Sequence, residues 1–344
     1  MRAVTFQGAN QVQVEDVAKP TIQAPEDAIV RVTTSSICGS DLHLYHGRLP
    51  VAMKGFVLGH EFAGVVEEVG PGVAELKPGA RVVSAFSTSC GRCYYCRRRL
   101  PTQCLRGQTF GFGQLAGGQA EYVRIPFADS TCERIPDGLD DGQVILVGDV
   151  LATGYYCAEI GGVRPGDVVL VLGCGPVGLC TIICAYLLGA ATVLAVDSVR
   201  ERLALAERLG AAPIDMSQED PGARVRQHSG GRGADVVCEA VGSLEALRSC
   251  FTYVRPGGTI AAVGVYSEPS FDFPIFLAFL RDLSFRTGIC PAKNYMAPLI
   301  ALIWAGRIDT TPLITHTLPL DEAAHAYEIF AHRQDGCIKV LLKS

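Results

Sequence analysis

The chain has 344 residues, too many for one ordinary core and enough for about two domains. Hydrophobic residues make up 49% and charged residues 19%, which excludes an intrinsically disordered chain. The formal net charge of −5 argues against a nucleic-acid partner, because neutralising many phosphates takes a basic surface, and Arg97-Arg98-Arg99 reads as a solvated face.

The N-terminus, MRAVTFQGANQVQVEDV, lacks the charged-then-apolar pattern of an export signal. It predicts a strand, a turn around Gly8-Ala9-Asn10 and a second strand. A cytoplasmic location is the expectation, and there thiols stay reduced. To about residue 149 the sequence is strand-rich, with alternating segments such as AIVRVTTSSI and AGVVEEVG broken by Gly and Pro.

Two groups of metal-ligand residues fall in this part. Cys38-Gly39-Ser40-Asp41-Leu42-His43 and Gly59-His60-Glu61-Phe62-Ala63-Gly64 supply one soft and one borderline ligand, the types a catalytic zinc with an open position requires. Further on, Cys90, Cys93, Cys96 and Cys104 have the spacing C-x₂-C-x₂-C-x₇-C. A ferredoxin run would close with x₃ and a following proline, and a thiol-exchange motif needs one C-x-x-C. Four thiolates complete a tetrahedral zinc shell with no open position, so this group predicts a structural site.

From about 150 to 287 strands and helices alternate, which predicts parallel βαβ units. Val168 to Val196 carries no charge across 29 residues, the length of a membrane span. Gly173, Gly175, Pro176 and Gly178 break it into a strand, a tight turn and a buried helix, so no membrane partner is expected. Gly173-Cys174-Gly175-Pro176-Val177-Gly178 is G-x-G-x-x-G between that strand and that helix, and Asp197 ends the next strand nineteen residues past Gly178. This predicts a dinucleotide with its pyrophosphate at the helix N-terminus and its ribose hydroxyls on Asp197. Asp197 would repel a 2′-phosphate, so NAD is expected over NADP, although Arg200 and Arg202 just beyond it could tolerate one. After Gly288 come two helical patterns and a last strand, CIKVLL.

In combination, Gly59-His60-Glu61-x₂-Gly64-x₅-Gly70-x₂-Val73, the four-cysteine lobe, the Gly173 fingerprint and the C-terminal ending resemble the zinc-containing medium-chain alcohol dehydrogenases over essentially the whole chain. The resemblance implies an α/β protein of two domains. A GroES-like, β-rich catalytic domain comes from both ends, residues 1–149 and 288–344, and a doubly wound, parallel-sheet Rossmann domain spans 150–287. Two zinc ions per chain are implied, one structural and one catalytic. For the catalytic ion, Cys38 and His60 look like ligands, Glu61 like a carboxylate able to enter the shell, and Asp149 like the remaining ligand, where many relatives carry Cys. Ser40 and His43 look like a proton relay, and Thr153 like a residue against the nicotinamide. Gly264 and Val265 match the segment at the carboxamide, and Lys339 matches a basic residue reaching the pyrophosphate, with a solvent-facing strand lysine as the other reading.

The reaction so implied moves a hydride between an alcohol or polyol and NAD, giving an aldehyde or ketone, in a homodimer or homotetramer. An alternative is a formaldehyde or aldehyde dehydrogenase or dismutase with tightly held NAD, because GGQAEYVRIPFADS and Asp149 look similar to that branch. A non-catalytic nucleotide-binding protein is the third class, and the presence of Cys38, His60, Glu61, Ser40 and His43 together weighs against it.

Overall fold

β1 (Arg2–Gly8) and β2 (Gln11–Asp16) pair antiparallel across a turn in which Asn10 takes the left-handed conformation at φ 60°. β3 (Ala28–Ser36) is the centre of a second sheet. It pairs antiparallel with β4 (Glu61–Val69), which continues to β5 (Arg81–Ser84) and then β7 (Cys132–Arg134). β6 (Tyr122–Ile125) pairs with the first half of β3. The apolar residues of these strands meet in one cluster that includes Val30, Val32, Phe62, Val66, Val82 and Ile125. The computed structural model describes residues 1–48 and 53–344, and among these the chain divides into two units, Met1–Ala152 with Pro291–Ser344, and Thr153–Cys290.

The second unit follows the strand–helix alternation of its sequence. β8 (Val168–Leu172), β9 (Thr192–Asp197), β10 (Ala212–Asp215), β11 (Ala234–Glu239), β12 (Val254–Ala262) and β13 (Ser284–Thr287) form one parallel sheet in the order β10-β9-β8-β11-β12-β13. That is the doubly wound dinucleotide-binding order, with the direction of winding reversing between β8 and β11. β8 is buried along its whole length, as a central parallel strand covered on both faces must be. The uncharged run from Val168 is thus a strand, a turn, the helix Pro176–Leu187 and a second strand. No single helix among the described residues is long and apolar enough to cross a membrane.

The C-terminal segment returns to the first unit. β14 (His316–Pro319) pairs parallel with β15 (Val340–Lys343), and β15 pairs antiparallel with Thr34–Ser36 of β3. The last strand starts later than CIKVLL suggests, because the Ile338 and Lys339 N–H groups donate to Thr315 Oγ1 rather than to a strand. The two expected helices are Lys293–Trp304 and Ala323–His332.

Candidate metal centres and dinucleotide site

β3 and β4 end side by side, Ser36 facing Glu61 in register, so the residues just past β3 and just before β4 share one end of the sheet. Cys38 follows β3 and His60 precedes β4, and this pairing brings them together. Asp149 ends the short helical turn Ile145–Gly148 and arrives at the same place. One potential ligand atom each from Cys38, His60, Glu61 and Asp149 lie within 4.8 Å of one another. Asp149 Oδ2 is 3.3 Å from Cys38 Sγ and 3.2 Å from His60 Nε2. Cys38, His60 and Glu61 are buried, and the Asp149 side chain is 14% exposed.

The electrostatics of this group call for a cation. Burial, with the Asp149 and Glu61 carboxylates adding to it, pushes the Cys38 thiol up to about 11. Burial alone would lower the His60 pKa, but the Asp41 and Asp149 carboxylates outweigh it and raise it. Burial opposes ionisation of Asp149, yet its hydrogen bond to His60 holds it below the usual carboxylate range. Glu61 Oε1 is buried and has no hydrogen-bond partner among the described residues. A thiol, an imidazole and two carboxylates converging among buried residues fit a divalent ion of zinc's ligand preferences.

Around this group the structure places residues that spacing alone does not reveal. Asp41 is fully buried, its Oδ1 3.1 Å from His60 Nδ1 and its Oδ2 accepting from the Cys38 backbone N–H at 2.9 Å. The approach of Oδ1 to Nδ1 is an ion-pair contact without hydrogen-bond alignment, and the Asp41 charge favours a proton on Nδ1, which leaves the Nε2 lone pair towards Asp149. Ser36 Oγ donates to Glu61 Oε2. Ser40 Oγ lies 3.1 Å from His60 Nε2, at the N-terminus of the short helix Asp41–Tyr45, and His43 is half-buried on that helix.

For Lys339 the solvent-facing reading is corrected. Its ammonium is fully buried, 2.6 Å from Glu61 Oε2 and donating to the Ile37 carbonyl at 2.9 Å. It does not face solvent. The Glu61 carboxylate holds it as an ammonium in spite of burial. The pairing was hidden in sequence because the partners are 278 positions apart, 339 minus 61.

The four cysteines of the lobe also converge. One sulfur each from Cys90, Cys93, Cys96 and Cys104 lie within 4.8 Å of one another. Cys93 Sγ is 3.5 Å from Cys96 Sγ and 3.9 Å from Cys104 Sγ, and every cysteine is free. Those separations are too long for disulfides, whereas a zinc–sulfur length of about 2.3 Å makes a tetrahedron edge of about 3.8 Å. The Cys90 and Arg106 backbone N–H groups donate to Cys104 Sγ. N–H groups of Cys96 and Leu105 bring Cys93 down to about 6, while burial and the neighbouring thiols push Cys96 up to about 12.

In the second unit the fingerprint turn sits at the carboxyl end of β8. Gly178 has no space for a side chain, since a Cβ there would lie 1.7 Å from the Gly173 carbonyl oxygen. Gly175 differs: a Cβ there would meet only Arg202 Nη1, at 3.8 Å. Gly175 begins the helix Pro176–Leu187 with no side-chain cap, so the N–H groups of Val177 and Gly178 open onto that space. Asp197 Oδ2 accepts from Cys174 N–H at 2.8 Å, and its Oδ1 accepts from Ser198 and Val199 N–H. Arg202 Nη1 is 3.9 Å from Asp197. Gly264 and Val265 belong to a neighbouring loop at the same sheet edge, with the Gly264 N–H donating to the Glu239 carbonyl and Val265 half-exposed. Thr153 lies in the first turn of the helix Val150–Gly161 and is nearly buried.

Residues 24–137 match the family model for the alcohol dehydrogenase GroES-like domain, and residues 176–305 match that for zinc-binding dehydrogenases. An uncharacterised zinc-type alcohol dehydrogenase-like protein of Bacillus subtilis is 40% identical over 378 aligned positions, covering 100% of both chains. An alcohol dehydrogenase of Cupriavidus necator is 35% identical, covering 100% of this chain and 98% of its own. The solved structure of an alcohol dehydrogenase from Thermus sp. ATN1 superposes with a TM-score of 0.96 at 46% identity, covering 100% of this chain and 99% of that one. The chain belongs to the zinc-containing medium-chain alcohol dehydrogenase family, as an alcohol dehydrogenase-like oxidoreductase with a GroES-like domain and a Rossmann-like parallel sheet.

Proposed function

We propose that this chain oxidises an alcohol with NAD, using one zinc held by Cys38, His60 and Asp149, with Glu61 able to enter the shell. The observation that carries this reading is the convergence of those buried donor atoms, with Ser40 beside them. When bound there, zinc supplies Lewis acidity towards an alcohol oxygen, and NAD supplies the hydride acceptor. Asp41 keeps His60 in the metal-binding tautomer, and Lys339 offsets part of the negative charge of Glu61. Ser40 Oγ takes up the hydroxyl proton and His43, three residues on, passes it towards solvent. The alcohol carbon loses a hydride and the oxygen a proton, leaving an aldehyde or ketone.

Asp197 supports NAD over NADP, since its buried carboxylate already orients the fingerprint loop and a 2′-phosphate would face it. The four cysteines hold a second, structural zinc, because four sulfurs leave no position for substrate. The helix Ile275–Leu280 exposes Ile275, Phe276, Phe279 and Leu280, from 61% to 75%. An apolar patch of this kind next to the edge strand β13 supports a homo-oligomer. Fourteen free cysteines support a reducing, cytoplasmic setting.

The test is the appearance of reduced nicotinamide when the protein is incubated with NAD or NADP and a panel of primary, secondary, aromatic and polyol alcohols, plus formaldehyde. A rise with one alcohol class, faster with NAD, is expected. No rise with any of them, in protein holding two zincs per chain, contradicts the proposal.

A further inference from the structure

Asp41 touches both the Cys38 backbone and the His60 ring, so whatever holds Asp41 holds two ligands at once. Gln119 holds it. Its Nε2 donates to Asp41 Oδ2 at 3.3 Å and to the Ser36 carbonyl at 3.1 Å. Its Oε1 accepts from the Tyr327 hydroxyl at 2.8 Å. The orientation of the amide is fixed by its partners, because the Ser36 carbonyl can only accept, so Nε2 must face it and Oε1 must face Tyr327. Asp41, Gln119 and Tyr327 are all fully buried, where each missing partner carries a desolvation cost.

Gln119 is anchored as well as bonded. Its backbone N–H donates to the Leu58 carbonyl at 3.0 Å, and its carbonyl accepts from Val4 N–H at 2.8 Å. Its side chain lies on Gly59, the residue before His60. A Cβ at Gly59 would come within 2.3 Å of Gln119 Cγ, and Gly59 has a φ of +92°. The glycine of the Gly59-His60-Glu61 stretch is therefore required by the Gln119 side chain as well as by its own backbone. Tyr327 comes from the helix Ala323–His332, and its ring packs 5.3 Å from that of Tyr45 on the helix that carries Asp41.

We infer that Gln119 and Tyr327 are positioning residues for the catalytic zinc ligands, acting through Asp41 in a buried chain that runs Tyr327–Gln119–Asp41–His60. The inference rests on the reading of Cys38, His60 and Asp149 as a zinc site. It ties the C-terminal helix to that site and gives the buried amide a task beyond filling a core.

The experiment is release of zinc from the purified holoprotein into excess EDTA, followed with a chromogenic zinc indicator. The four-cysteine zinc serves as an internal control in the same molecule. Gln119→Met keeps the length and removes both kinds of hydrogen bond, and it should lose one zinc equivalent about 10-fold faster than wild type, the scale on which outer partners of metal ligands act. The other equivalent should leave at the wild-type rate. Tyr327→Phe removes only the hydroxyl, so it keeps the test open if the first variant does not fold, and should speed the same equivalent by about 3-fold. The double variant should be no faster than Gln119→Met alone, because the Tyr327 effect passes through Gln119. Wild-type release rates in the single variants, or faster loss of both zincs together, would overturn the inference. A wild-type protein that releases a single zinc would overturn the zinc-site reading itself, and that outcome is recognised without any substitution.

Discussion

Cys93 and Asp197 show how much one residue's surroundings decide. Cys93 receives backbone N–H groups and its thiol is brought down from 9.0 to about 6, whereas burial leads in pushing Cys96 up to about 12. In protein stripped of zinc by chelation, Cys93 should therefore be the first cysteine of the lobe to react with iodoacetamide at pH 7. Because its pKa is depressed, its thiolate is present above about 6 and disappears as pH falls through that value. The alkylation rate, read by peptide mass spectrometry, should rise with pH through a midpoint near 6; a midpoint near 9 would contradict the N–H contacts. Asp197 combines two tasks, since Cys174, Ser198 and Val199 N–H groups all end on it. Asp197→Ala should weaken NAD binding and lower the NAD-to-NADP ratio of kcat/KM by about tenfold, roughly 1.4 kcal/mol. An unchanged ratio would assign Asp197 to loop geometry alone.

At the scale of elements, the fingerprint turn and the loops beside it depend on close approach. Gly178→Val would drive a side chain into the Gly173 carbonyl oxygen and push the helix Pro176–Leu187 off β8. Overpacking of this kind costs about 1–3 kcal/mol, so a lowered Tm and lost NAD binding are expected together by scanning fluorimetry and titration. Glu239, at the end of β11, accepts from Val241 and Gly242 N–H at 2.8 Å each and from the Tyr266 hydroxyl at 2.5 Å. Burial raises its pKa above 4.5, and the hydrogen bonds only partly offset this. A raised carboxyl pKa means the folded state binds the proton more tightly, so this group's contribution to stability falls as pH rises from about 4.5 through the folded value. Glu239→Gln keeps an acceptor for the loop and should flatten that slope in thermal melts; the same slope in the variant would place its origin elsewhere. These loops were legible in part. The glycine pattern, the strand–helix alternation and the four-cysteine group stand in the sequence as local spacings, because their chemistry is set within a few residues. Asp41 carried a weak local signal, an acid three residues after a ligand cysteine. Gln119 and Tyr327 carried none, and nothing local marked Glu61 as the partner of Lys339, because these contacts join segments far apart in the chain.

For the whole molecule, the strand order of the second unit and the return of the C-terminal strands to the first follow the family pattern that the motifs announced. Lys339 shows the limit of a match by position, since its place along the chain marks a basic residue but does not reveal its buried partner Glu61. The exposed face of Ile275–Leu280 leads to a prediction about assembly. Phe276→Asp should shift the protein to a smaller species in analytical ultracentrifugation while the isolated chain keeps its fold. An unchanged mass would show that the face is not buried between copies. The central claim, that Cys38, His60 and Asp149 hold the zinc at which an alcohol is oxidised, is tested most directly by the NAD-dependent turnover of Cys38→Ser, measured in protein shown to retain one zinc per chain and to bind NAD. Loss of turnover is the predicted result, and turnover at the wild-type rate would contradict it.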